Sequence, residues 1–192
     1  MSREASTRGL AGRVLSAWAD IGGSLRWLLA QRPSETALLV FLMISGLCLL
    51  LVSIAESALG AEPVTGQELQ AMVLSGIAVF GLLWPLFLYL VALGAHGLAR
   101  AVGGTGSGYE SRAAMAWAAL VSGPVLVVGS VGGLWLAPVL PPVGTDFVRS
   151  LGAFAFVYAL CAGFGEVHGF RRILIGLAVV VLAVAGAAAV LA

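Results

Sequence analysis

AMVLSGIAVFGLLWPLFLYLVALGAHGLA, the stretch Ala71–Ala99, runs without a single Asp, Glu, Lys or Arg. A helix crosses a bilayer with about 20 apolar residues at about 1.5 Å rise each, so this stretch is long enough to span. Its flanks differ in sign. Upstream, Glu56, Glu62 and Glu68 lie around a connector with no basic residue; downstream, Arg100 and Arg112 bracket a glycine-rich one. Short loops that carry Arg or Lys stay on the cytoplasmic side, so the acidic flank is expected outside and the Arg100 flank inside.

The same alternation continues in both directions. Uncharged runs recur at Ala37–Ala55, Ala113–Val143, Ser150–Gly165 and Ile173–Ala192, the Ser150 run being short for a crossing. The reading is an all-α membrane protein with five spans at about 36–57, 70–99, 112–138, 147–165 and 173–192. Nine arginines (Arg3, Arg8, Arg13, Arg26, Arg32, Arg100, Arg112, Arg171 and Arg172) then fall inside, and Arg149 alone falls outside, snorkelling at a helix end. The expected setting is a bacterial inner membrane, with the N-terminus cytoplasmic and the C-terminus periplasmic. Gly60-Ala61-Glu62 has the small residues of a cleavage site. However, the apolar run before it exceeds the ~7–15 residues of a signal segment, so the first span is expected to be retained.

Composition agrees. The chain is 60% hydrophobic and 10% charged, with a mean hydropathy of +1.06, against about 25% charged residues in ordinary soluble domains. A net charge of +1 gives no reason to expect nucleic acid as a partner. All ten basic residues are Arg. The planar guanidinium fork suits lipid phosphates, and the same bias follows from a GC-rich coding sequence that also favours Ala and Gly. Cys48 and Cys161 sit inside apolar runs and read as small buried hydrophobes.

Residues 1–9 are polar and read as disordered. Residues 10–32 read as one amphipathic helix: Leu10, Val14, Trp18, Ile21, Leu25 and Leu28 recur at spacings of three and four, with a bend expected at Gly22-Gly23. It is expected to lie on the cytoplasmic leaflet or to pack against the ends of the bundle. Pro33-Ser34-Glu35-Thr36 then caps the first span of the membrane domain, 35–192. Helix breaks are expected at Pro85 and at Pro124, at similar depth. Gly129 and Gly133 have the spacing that lets membrane helices approach closely.

The chemistry-bearing candidates are few. The loop Gly103-Gly104-Thr105-Gly106-Ser107-Gly108 lacks the Lys-Ser/Thr ending of a phosphate loop and follows a membrane helix instead of a strand, which argues against nucleotide. His96 and His168 map to the same end of the bundle, but two histidines are a thin ligand set for metal or haem. The helix interiors carry no ionisable pair, so neither catalysis nor ion coupling is indicated, and no cofactor is expected. Contacts with lipid or with partner proteins are expected through Arg13, Trp18, Arg26, Arg100, Tyr109, Arg112, Arg171 and Arg172.

The run from His96 through Arg100 and the glycine turn to Tyr109, Arg112, Trp117 and Pro124 resembles the bacterial branch of the Yip family of membrane proteins. A helix ending in Arg, a glycine-rich turn with an aromatic and an Arg, and a following Trp-Ala and Pro carry the likeness; Gly169-Phe170 adds to it. The resemblance implies five spans, a cytoplasmic N-terminus and a non-enzymatic bundle that organises membrane or recruits partners. Eukaryotic members bind Rab-type GTPases; their Asp-Leu-Tyr-Gly-Pro element is absent here. The expected function is therefore a scaffold or adaptor in the lipid bilayer, associating with itself or other membrane proteins. The alternatives are a small transporter or channel component built on the proline-broken helices, and a metal or haem protein using His96 and His168.

Overall fold

The structure is a computed structural model that describes residues 9–59, 64 and 66–170. All its regular elements are helical: α1 (Leu10–Ser16), α2 (Ile21–Ala30), α3 (Glu35–Leu59), α4 (Gly66–Ala78), α5 (Trp84–Ala101), α6 (Gly108–Leu136) and α7 (Pro142–His168). A 3-10 turn, Ala17–Ala19, joins α1 to α2, and a π turn, Val79–Leu83, makes α4 and α5 one continuous rod. Four helices are long and apolar enough to cross a membrane: Glu35–Leu59, Gly66–Ala101, Gly108–Leu136 and Pro142–His168. The expected fifth span, 173–192, lies outside the described residues, as do residues 1–8.

The helix α6 is the axis of the bundle. Every residue from Ala113 to Val121 is buried, which only a helix surrounded by others can achieve. Small side chains make this possible, and α7 lies closest. A Cβ added to Gly129 would meet the Val148 carbonyl at 2.8 Å, one on Gly133 would meet the Thr145 carbonyl at 3.3 Å, and one on Gly152 would run into the Leu126 Cα. The Gly129/Gly133 spacing is thus a backbone-to-backbone seam, with van der Waals contact replacing the hydrophobic drive that lipid removes.

The two prolines behave differently. Pro85 has no N–H, and the Trp84 N–H is donated to the Val79 carbonyl across the π turn, so the Phe80 carbonyl has no helical donor. That carbonyl is turned onto Gly46 of α3, where any Cβ would collide with it, and Trp84 Nε1 donates to Ser45 Oγ at 3.0 Å beside it. At Pro124, by contrast, α6 runs on as α-helix, so the break expected there is not found. Cys48 of α3 lies against Gly123, the residue before this proline.

Two boundaries depart from expectation for local reasons. The fourth span is longer than 147–165, because Pro142 fits the first turn of a helix and starts α7 earlier. Asp146 and Arg149 are therefore helical, and Arg149, instead of snorkelling alone, donates to Glu56 of α3 at 2.6 Å. The third span starts earlier than 112, because Ser107 and Glu110 form a capping box.

The segment 10–32 is not one helix. Asp20 is extended (φ −156°) and caps α2 by accepting from the Gly23 N–H at 2.8 Å, so the bend falls there instead of at Gly22-Gly23. A side chain at Gly23 would meet the Asp20 carboxylate that caps the helix. Val14, Ile21, Leu25 and Leu28 of the apolar stripe are buried in the bundle's own core. Trp18 Nε1 donates to the Val121 carbonyl at 3.2 Å, roughly 20 Å along α6 from Gly108 at about 1.5 Å per residue. The stripe serves packing, and the pair α1–α2 is wedged along α6 and α7.

Candidate functional site

The polar side chains gather at the two ends of the rods, most of them at the arginine-bearing end where α5 stops and α6 starts. The turn between these helices is built by glycine. The Gly103 N–H returns to the Arg100 carbonyl and the Gly104 N–H to the Ala99 carbonyl, with Gly103 at φ +92°, which closes α5 with a Schellman motif. The chain then lies over the end of α7. A Cβ on Gly104 would sit 2.7 Å from His168 Nδ1, and one on Gly106 would sit 2.8 Å from the Val167 carbonyl. The glycine-rich loop is a fitted cover for His168.

Beneath that cover, one hydroxyl holds two histidines. Ser111 Oγ lies 3.1 Å from His96 Nδ1, 3.0 Å from His168 Nε2 and 3.0 Å from the Ser107 carbonyl. A hydroxyl has one proton, and the carbonyl can only accept. If Ser111 donates to Ser107, then His96 must donate from Nδ1 and His168 from Nε2. His168, 2% exposed, is left with an Nδ1 that has no hydrogen-bond partner among the described residues and abuts Gly104. This assignment makes the orphaned atom an acceptor, which is less costly to bury than a stranded donor. The rings of His96 and His168 are 5.6 Å apart, and Phe164 stacks on His168 at 5.7 Å.

The two histidines are thus brought together, but their facing nitrogens are already bonded to Ser111. Among the described residues no group of three His, Cys, Asp or Glu could hold an ion.

The arginines expected to reach lipid or partners are largely drawn inward. Arg112 pairs with Glu35, which also accepts from Tyr89 Oη at 2.8 Å, joining α3, α5 and α6. Tyr109 Oη donates to the Pro33 carbonyl at 2.7 Å, and Arg100 to the Gly104 carbonyl at 3.2 Å. Arg26 of α2 pairs with Glu166 of α7, whose hydrogen bond and charge raise the guanidinium further above its ordinary pKa. Arg13 stacks 3.7 Å over the Trp27 ring. Arg171 and Arg172 lie outside the described residues.

The sequence marks Glu35 only as part of a cap, and Ser111 and Glu110 not at all. Ser107-Gly-Tyr-Glu110 has the spacing of a capping box and could have been read as one; Glu35 and Ser111 carry no such signal, because their partners are distant in the chain. No family model matches this chain, and neither a curated protein nor a solved structure does.

Proposed function

We propose that this chain is a non-catalytic integral membrane scaffold or adaptor, Yip-like in arrangement, with its arginine-bearing end in the cytoplasm of a bacterium. One observation carries the reading: the polar groups at both ends are used to tie helices to one another. Glu35 joins three helices, Ser111 joins the ends of three, Arg26 ties α2 to α7 and Arg149 ties α7 to α3. Such an end is a rigid platform. Meanwhile the rod α4–α5 turns Leu74, Leu82, Leu86, Leu90 and Leu93 outward, which suits contact with lipid or a neighbouring membrane helix.

Two measurements test this. Reporter fusions should give cytoplasmic signal at 103–110 and periplasmic signal at 62–68; the reverse pattern overturns the sidedness. Drawn from native membranes in mild detergent, the protein should co-purify with itself or in a larger complex. A strictly monomeric particle carrying a polar substrate overturns the scaffold.

A second reading has one observation in its favour. Trp84, next to Pro85, and Gly123, next to Pro124, line a common apolar cavity of ≈ 200 Å³ with Ser45, Ser122 and Phe156. Solute flux into proteoliposomes that is lost on Pro85→Ala and Pro124→Ala would replace the scaffold with a carrier.

A further inference from the structure

A cavity of ≈ 490 Å³ opens at the arginine-bearing end, between the chain leaving α2 and the start of α6. Leu29, Arg32 and Pro33 line it from one segment, and Ser107, Tyr109 and Glu110 from the other. The bond from Tyr109 Oη to the Pro33 carbonyl, 2.7 Å, pins the two segments together. Arg32 is placed by its backbone: it has φ +46°, a left-handed conformation that a non-glycine residue seldom adopts, fixed by its N–H to the Leu29 carbonyl.

The two charges in the cavity are of opposite sign and are not paired with each other. Arg32 has no ion pair and no side-chain hydrogen bond among the described residues. Glu110 uses Oε2 for the capping box, accepting from the Ser107 N–H at 2.7 Å and its hydroxyl at 2.8 Å, while Oε1 has no partner among the described residues. The box takes up the N–H groups of Ser107 and Glu110 at the start of α6. What remains on offer is one guanidinium, one carboxylate oxygen and an apolar flank from Leu29 and Pro33.

We propose that this cavity binds the headgroup of a zwitterionic phospholipid with a primary ammonium, phosphatidylethanolamine in chemical type. Arg32 takes the phosphate, for which a guanidinium fork is suited, and Glu110 Oε1 accepts from the ammonium. A quaternary ammonium has no N–H to donate, and an anionic headgroup leaves Glu110 facing like charge. The cavity stands where two membrane-crossing helices, α3 and α6, begin, which is headgroup level for a lipid lying along Leu29. The site holds whether or not the chain acts as a scaffold, since it requires no protein partner.

The test is native mass spectrometry of the delipidated full chain, offered phosphatidylethanolamine, phosphatidylcholine or phosphatidylglycerol separately. The ethanolamine lipid should be retained about fivefold over either of the others, the size of effect one charge-assisted hydrogen bond supplies at a partly exposed site. Arg32→Asn tolerates the left-handed backbone and removes the charge; Glu110→Gln keeps a capping side chain and removes the carboxylate. Glu110→Gln should bring retention of the ethanolamine lipid down to the phosphatidylcholine level, Arg32→Asn should lower retention of all three lipids together, and Arg32→Lys should keep most of it. Equal retention of all three lipids, or a preference for phosphatidylglycerol, overturns the proposal. Glycerophosphoethanolamine carries the same headgroup without acyl chains. Failure to displace the lipid at equal concentration supports a membrane source, and displacement overturns it.

Discussion

Gly152→Val is expected to lower the stability of the bundle by about 1–3 kcal/mol, the usual cost of forcing extra methyl groups into a packed interface. The reason is what the new side chain meets. The space beside Gly152 is filled by the Leu126 Cα and Cβ, so relief requires α6 and α7 to move apart. Such a movement would also loosen the Gly129–Val148 and Gly133–Thr145 contacts further along the seam. Gly132→Ala is the matched control, since nothing lies within 4 Å of its Cβ position and alanine favours helix by about 0.5–1 kcal/mol over glycine. Thermal melting in mild detergent should therefore fall for Gly152→Val and hold or rise for Gly132→Ala. Equal responses would mean that the seam is not a close backbone contact.

Hydropathy made the rods legible because a membrane helix announces itself by length and lack of charge. Four of the expected spans coincide with helices that could cross, each within a few residues. Two of the boundaries that moved are set by capping: Pro142 at the start of α7, and Ser107 with Glu110 at the start of α6; the second rod also starts early, at Gly66. Both capping signals are local and were present in the sequence.

The candidate site was half legible, for a different reason. His96 and His168 were correctly placed at one end, since each lies near an arginine-bearing turn. That they meet through Ser111 was not readable, because a serine in a membrane helix more often bonds its own turn, as Ser45 and Ser122 also do here. The arginines also have partners that were not readable. Charge near a membrane end was taken to face lipid, but Glu35, Glu166 and Glu56 each lie opposite one of them in the folded chain. Pairing across 77, 140 or 93 residues leaves no periodicity to read. Arg32 has neither an ion pair nor a side-chain hydrogen bond among the described residues, and nothing but its charge marks it in the sequence.

The N-terminal stripe shows how one pattern can serve two destinations. Apolar residues at helical spacing with Arg13 and Arg26 beside them suit a membrane surface and a protein groove equally well. The structure places Val14, Ile21, Leu25 and Leu28 in the groove, and Trp117 is the side chain that decides how firmly they are held. Trp117 is 1% exposed, donates from Nε1 to Ser24 Oγ at 2.9 Å and lies 6.2 Å from the Phe41 ring, so it joins α2, α6 and α3 at one point. Trp117→Ala should cost about 3–5 kcal/mol through the cavity it leaves, the largest effect of any single truncation here. Trp117→Phe keeps most of the ring and loses the hydrogen bond, and should cost about 1 kcal/mol plus whatever the smaller ring leaves unfilled. The two variants also separate packing from surface adsorption. If α1–α2 is held by the bundle, Trp117→Ala should expose the chain around Asp20 to limited proteolysis in detergent, where no bilayer remains to shelter it. Unchanged cleavage in that variant, with the melting point lowered, would show that Trp117 supports the core without holding the N-terminal pair.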